Sequence, residues 1–229
     1  ELRYEYEWVY DAVIEQEFGS GTPVNAMVIG GGGYCYPRYL ELSRPGSYVE
    51  VAEIDPEVTE AAHAAFGLPR DTGIHIFDVD ARNRVNDLVR AKRSGETVPE
   101  FDCIFGDSIN DYTVPYHLTT LEFTRDVHDL LGSRGLYLLN MIDLFDSGRF
   151  LAAVVSTCRQ VFPHVYVFNT GRPNDVRDTF IVVSADRALN LGAVPERIRV
   201  RHDYAGGLVK TATLDELIAR TGRKVLTDD

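Results

Sequence analysis

The stretch that decides the fold is Val24-Asn25-Ala26-Met27-Val28-Ile29-Gly30-Gly31-Gly32-Gly33-Tyr34-Cys35-Tyr36-Pro37-Arg38-Tyr39-Leu40, a short apolar run that breaks into four glycines. Val24, Ala26, Met27, Val28 and Ile29 are too few for a helix and do not alternate with polar residues. They suit a central parallel strand covered on both faces. Gly30 to Gly33 then let the backbone turn sharply and leave room for a ligand to approach the main chain, and Tyr34 to Leu42 can form the helix that follows. The place reads as a cofactor seat. A tight strand-to-helix turn without a ligand is the competing reading, because a glycine cluster alone is a weak motif.

The next element favours the seat. Tyr48-Val49-Glu50-Val51-Ala52-Glu53-Ile54-Asp55-Pro56 is a β-branched strand ending in acid, and Glu53 stands about 20 residues beyond the glycines, where a ribose-binding carboxylate belongs. A nucleoside is therefore expected, its ribose hydroxyls donating to Glu53. Cys35 and Tyr36 occupy the region where a G-x-G-x-x-G dinucleotide motif has its last glycine, so an adenosyl group fits better than a dinucleotide.

Outward from this core, Glu1 to Phe18 carries Tyr4, Tyr6, Trp8, Val9, Tyr10, Val13 and Ile14 among acids, a pattern that ends as a helix beside the sheet. Such an aromatic start either lines a pocket or is simply core. Downstream, Asp55-Pro56 supplies a cap and a first-turn proline for a helix over Pro56 to Phe66. A third strand, Ile74 to Phe77, leads into Asp80 and a helix whose inner face is Val85, Leu88 and Val89. Asp80 can hold an adenine amino group or serve as a plain helix cap. The fourth strand, Phe101 to Gly106, ends at Asp107. In an open parallel sheet, ligands gather beyond the carboxyl ends of the strands, so Glu53, Asp80 and Asp107 are expected to converge with the glycines on one crevice.

The segment Asp107 to His117 is polar and aromatic with little periodicity, and is expected to form a substrate wall, with Asn110, Asp111, Tyr112, Tyr116 and His117 as candidates. Beyond it the pattern gives a helix over Leu118 to Leu131, a turn over Gly132 to Gly135, a strand over Leu136 to Ile142 and a helix over Ser147 to Val161. Strands over Val165 to Phe168 and Thr179 to Ser184 follow, read as an antiparallel hairpin closing the sheet. Ala193 to Val200 and Thr213 to Arg220 suit short helices, with a break at Gly206-Gly207. One domain over 1–229 is expected: an aromatic segment 1–23, a core 24–184 and an extension 185–229.

A formal charge of −12 argues against a nucleic-acid partner and suits a cationic substrate, though an acidic surface also serves solubility alone. No apolar run approaches the roughly 18 residues of a membrane span, and no secretory signal pattern is visible. Cys35, Cys103 and Cys158 are odd in number and far apart, which fits a reducing cytoplasm. The six histidines lack ligand spacing, so no metal is expected.

These motifs resemble the polyamine aminopropyltransferases, the spermidine synthases, over roughly Tyr4 to Ser184. Gly30-Gly31-Gly32-Gly33 is similar to that family's Gly-Gly-Gly-Asp-Gly-Gly loop, Glu53-Ile54-Asp55 to its Glu-Ile-Asp, and Asp80-Ala81 to its adenine contact. Asp107-Ser108 is similar to the start of its Asp-Ser-Ser-Asp-Pro motif, and Thr120-Leu121-Glu122-Phe123 to its Thr-x-Glu-Phe. The resemblance implies an α/β, Rossmann-like, seven-stranded methyltransferase fold, mostly parallel, with an antiparallel C-terminal hairpin and helices on both faces. It implies cofactor contacts from Gly30, Gly31, Gly32, Glu53, Asp80, Ala81 and Asp107. The departures bear on the reaction: Gly33 stands where the family has an aspartate for the aminopropyl amine, and Asn110 where a second aspartate holds the acceptor. Glu5-Tyr6-Glu7 replaces the family's Tyr-His-Glu, and its N-terminal β-hairpin domain is absent from this sequence. A divergent spermidine synthase-like branch, some members of which are fused to membrane segments, is the nearest match, and this chain is expected to be the soluble part of such a protein.

The expected activity is aminopropyl transfer from decarboxylated S-adenosylmethionine to a polyamine-like amine, with Asp107 as general base and an acidic wall of Asp107, Asp111 and Glu122. Methyl transfer from S-adenosylmethionine is the alternative, and a non-catalytic nucleoside-binding domain a further one. A small amine is the expected partner, with a homodimer also open.

Overall fold

A computed structural model describes residues 2–108 and 115–229. The chain runs through α1 (Glu5–Phe18), β1 (Asn25–Ile29), α2 (Cys35–Ser43), β2 (Tyr48–Glu53), α3 (Pro56–Ala65), β3 (His75–Asp78), α4 (Ala81–Arg93) and β4 (Phe101–Gly106). A 3-10 turn at Tyr116–Leu118 precedes α5 (Leu121–Leu130), β5 (Leu131–Leu144), α6 (Arg149–Cys158), β6 (His164–Asn169), β7 (Arg177–Ala185), α7 (Val194–Arg201), β8 (Gly207–Leu208) and α8 (Thr211–Thr221). The strands form one sheet in the order β3-β2-β1-β4-β5-β7-β6-β8. Pairs from β3 across to β5 are parallel, while β7 runs antiparallel between β5 and β6. This is the Rossmann-like, mostly parallel arrangement that the resemblance implies.

Side chains alternate across each strand, so one short run feeds two cores. In β1, Ala26 and Val28 join the layer packed under α1, α2, α3 and α7, whereas Met27 and Ile29 join the layer under α4, α5, α6 and α8. A strand buried on both faces reads as an unbroken apolar run, which is why Val24 to Ile29 does not alternate. In α1, the fully buried Val9, Tyr10, Val13 and Ile14 follow the helical repeat and seat the helix on the first layer.

Three elements differ from the sequence reading. The expected turn at Gly132 to Gly135 lies inside β5, where Phe101 pairs with Leu131 and Cys103 with Leu136, so the register slips through a bulge rather than a separate turn. The expected helix over Leu118 to Leu131 begins later. Thr120 caps it, its hydroxyl accepting from the Phe123 amide at 3.4 Å, and the preceding turn is 3-10. The sheet has eight strands instead of seven, because the expected break at Gly206-Gly207 includes β8. Polar pins hold that strand: Gly207 N–H donates to Asn169 Oδ1 at 2.9 Å, and the Tyr204 hydroxyl donates to the Asn169 carbonyl at 2.6 Å. A two-residue strand carries no periodicity for a sequence pattern to reveal.

Candidate functional site

The sheet's switch point lies between β1 and β4, which leave the chain's two directions of winding on either side. Ile29 pairs with Gly106, so the loops after β1 and β4 leave the sheet side by side. The contact is close: a Cβ on Gly30, whose φ is +97°, would stand 2.6 Å from the Asp107 carbonyl oxygen. Glycine is required there on both counts. Tyr34, at φ 54°, opens α2 in the left-handed region, and its buried ring packs where a side chain on Gly31 would sit. Its hydroxyl is 2.8 Å from the Thr59 hydroxyl, which ties the glycine loop to α3.

Over this switch point lies a cavity of about 340 Å³ lined by Gly30, Gly32, Glu53, Asp80, Ala81 and Asp107, with Ile29, Ile54, Val58 and Leu118 among its apolar walls. Glu53 is buried at the end of β2 and organises the loop opposite. Its Oε2 accepts from the Gly31 amide at 2.7 Å and the Gly32 amide at 3.4 Å, and its Oε1 from the Asp55 amide at 3.0 Å. A carboxylate has about four acceptor positions, two on each oxygen, so Oε1 retains capacity for a ligand hydroxyl. Asp80 caps α4 through Oδ1, 2.8 Å from the Arg82 amide, and its Oδ2 lies 3.0 Å from His117 Nε2. The helix-cap reading of Asp80 thus holds for Oδ1, while Oδ2 is paired with His117 at the cavity wall. Ala81, the first residue of α4, has one of the amides that no intrahelical carbonyl can satisfy.

A second cavity of about 190 Å³ adjoins the first and shares Gly30, Gly32 and Asp107 with it. Tyr4, Tyr6 and Glu7 from the start of the chain, with Gly31, Gly33, Tyr36 and Phe66, form its other walls. Asp107 thus stands at the junction. Its Oδ2 accepts from the Tyr6 hydroxyl at 3.0 Å and its Oδ1 from Asn140 Nδ2 at 2.8 Å. Burial pushes the Asp107 carboxyl above the ordinary carboxylate value, while the bonds from Asn140 and Tyr6 draw it back. Burial also pushes up Glu7, against the amides of Tyr4 and Arg3, and the negative Asp107 nearby adds to the rise. Two carboxyls and three tyrosines in one small lobe suit a cation. The Tyr36 hydroxyl is buried there with no hydrogen-bond partner among the described residues.

The structure brings Gly30, Gly31, Gly32, Glu53, Asp80, Ala81, Asp107 and His117 together around these two lobes. Tyr116 is 72% exposed and lines neither. Glu122, read as part of an acidic wall, instead accepts from the Asp228 amide at 3.1 Å. Asn110, Asp111 and Tyr112 lie outside the described residues. Sequence reasoning named Tyr6 only within an aromatic start that either lines a pocket or is core, and Glu7 only as part of Glu5-Tyr6-Glu7; it passed over Asn140. The signal for Asn140 was present, a lone amide inside the apolar strand Leu136 to Ile142; Tyr6 and Glu7 sit more than ninety residues from the acid they approach, so no local pattern links them.

Searched against protein-family models, the chain matches none. It is 31% identical to the polyamine aminopropyltransferase of Vibrio vulnificus over 146 residues, 64% of this chain and 46% of that one. It is 29% identical to the eEF1A lysine and N-terminal methyltransferase of Xenopus laevis over 143 residues, 62% of this chain and 20% of that one. The chain spans less than half the length of these curated relatives. The crystal structure of a probable spermidine synthase from Corynebacterium glutamicum superposes with a TM-score of 0.82, covering 100% of this chain and 82% of that one at 22% identity. By sequence the chain is similar to polyamine aminopropyltransferases and to methyltransferases alike, and its fold is the Rossmann-like one of spermidine synthases and methyltransferases.

Proposed function

We propose that the chain is a transferase that binds an adenosyl sulfonium across the larger cavity and passes an aminopropyl group to an amine held in the smaller one. The observation that carries this reading is Asp107: one carboxyl, shared by both cavities, whose basicity is raised by burial while Tyr6 and Asn140 fix its direction. The donor, when bound, would supply an electrophilic carbon beside the sulfonium and a neutral thioether leaving group. Glu53 would hold the ribose, and Asp80 with the Ala81 amide the adenine edge. An ammonium cannot attack carbon until it loses a proton, and Asp107 would take that proton, freeing the nitrogen lone pair. Glu7 and Asp107 would keep the acceptor's charged nitrogen in the lobe, and Tyr4, Tyr6 and Tyr36 would pack along its stem.

The choice of an aminopropyl group rests on charge. The decarboxylated donor carries an ammonium and no carboxylate, and among the described residues no Lys or Arg lines either cavity to hold a carboxylate, while Asp107 stands where the two meet. Methyl transfer is the second reading, supported by Gly33. A side chain at that position would press on the Phe66 ring, with Cδ1 at 3.2 Å, and glycine offers no carboxylate for a donor ammonium. The Xenopus relative, named as a lysine methyltransferase, supports it as well. The test incubates the protein with each sulfonium donor and a panel of amines, then identifies the nucleoside released. Methylthioadenosine is the expected product; adenosylhomocysteine formed only from the carboxylated donor overturns the aminopropyl assignment. Asp107→Asn should abolish amine-dependent turnover while leaving methylthioadenosine binding within about twofold.

A further inference from the structure

The segment 222–229 returns from α8 across the ends of three helices to reach the wall of the larger cavity. Leu226 anchors it: its amide donates to Thr157 Oγ1 at 2.9 Å, its carbonyl accepts from the Leu121 amide at 2.8 Å, and its side chain packs on the second core layer. Two residues on, Asp228 receives both terminal nitrogens of Arg82, with Nη1 at 2.8 Å from Oδ1. That same Nη1 donates to the His117 carbonyl at 2.6 Å and to Thr120 Oγ1 at 3.1 Å. Arg82 is the second residue of α4, next to the cavity residues Asp80 and Ala81, and its side chain is 18% exposed against 42% for Asp228. His117 completes the circuit, its Nε2 lying on Asp80 Oδ2 while its neighbour Leu118 walls the cavity.

We propose that segment 222–229 is a strap that sets nucleoside affinity, with Asp228 as a positioning residue that acts through Arg82 to hold the His117–Leu118 wall against Asp80. The inference rests on the reading of the larger cavity as a nucleoside site. The chemistry favours it: a guanidinium has five donors in a fixed plane, and a bidentate carboxylate on one edge fixes where the remaining donors point. Without Asp228, the Arg82 guanidinium keeps only its bonds to the His117 carbonyl and Thr120 Oγ1 and loses the bidentate contact that fixes its plane, so its hold on the His117 carbonyl loosens. The cavity acid Asp80 then keeps its helix cap but loses the imidazole that lines up its second oxygen. Asp228 also lies beside the N-terminal turns of α4 and α5, where a negative charge is favoured by the helix ends.

Calorimetry with methylthioadenosine, run on the full chain and on Asp228→Asn, Asp228→Ala and Asp228→Glu, tests this, with a thermal melt on each. The expected result is affinity weakened about threefold to fivefold in Asp228→Asn and Asp228→Ala, recovered in Asp228→Glu, with melting temperatures within a few degrees of the parent. Should the variants melt lower yet bind as tightly as the parent, the segment is a tether and the strap is overturned alone. Failure of Asp228→Glu to recover affinity also overturns it. Absence of methylthioadenosine binding by the parent itself removes the nucleoside reading and the strap with it.

Discussion

Asp107 is held by two donors far apart in the sequence, Tyr6 of α1 and Asn140 of β5. Hydrogen bonds to an ionised carboxylate contribute on the order of 1.5 to 3 kcal/mol each, and donors favour the charged form over the protonated one. Removing one should therefore raise the carboxyl further. Tyr6→Phe is expected to move the acid limb of the turnover–pH profile to higher pH, and a limb that stays in place would remove Tyr6 from the account. The stability consequence has a definite sign. A folded carboxyl raised above its unfolded value contributes stability that is fully present below the ordinary carboxylate range and lost as pH rises through the raised value. Asp107→Asn, which cannot ionise, should thus melt higher than the parent at neutral pH, with the gap closing as the solution is made acid. Equal melting temperatures across that range would show that the ionised carboxyl is not penalised by the fold. Glu53, Asp80 and Asp107 were legible in the sequence because each stands at or just beyond the end of a short strand, and strand ends in a parallel sheet share one edge. Their hydrogen-bond partners were not, since only folding brings residue 6 to residue 107.

At the scale of the element, the glycine loop is where sequence and structure agree most closely, yet its four glycines are not equivalent. Gly30 at φ +97° has Asp107 and Ser108 backbone atoms within 3.2 Å of an added Cβ, whereas Gly32 at φ +50° has nothing within 4 Å. Backbone cannot move aside as a side chain can. Gly30→Ala should cost roughly 2 to 5 kcal/mol from strain and overlap together, and Gly32→Ala about 1 kcal/mol from conformation alone. Urea unfolding at constant m-value separates them, and similar midpoints for the two variants would contradict the close approach of the loops after β1 and β4. Two of the three elements that sequence reasoning misplaced share a cause. The bulge in β5 and the short β8 are defined by pairing with distant strands, Phe101 and Phe168 among the partners, and neither leaves a periodic trace in its own residues.

Across the whole molecule, 35 acidic residues outnumber 23 basic ones, and the formal charge is −12. That imbalance was visible at once, but its placement was not, because a net charge says nothing of which acids face a cavity. The structure puts Glu7 and Asp107 at the smaller lobe, so the far field and the local acids act in the same direction on an approaching cation. Among the described residues no helix is long and apolar enough to cross a membrane. Screening then gives a discriminating measurement. With a diamine acceptor, kcat/KM should fall several-fold as ionic strength rises from about 0.02 to 0.3 M, because the Debye length contracts over that range to less than the span of the acidic surface. Methylthioadenosine carries no net charge, so its affinity should change by less than about twofold over the same range. If both constants fall together, salt is acting on the fold rather than on encounter. If neither falls, the acceptor is not steered by charge, and the acids of the smaller lobe must then act only at contact distance, on an amine that arrives neutral.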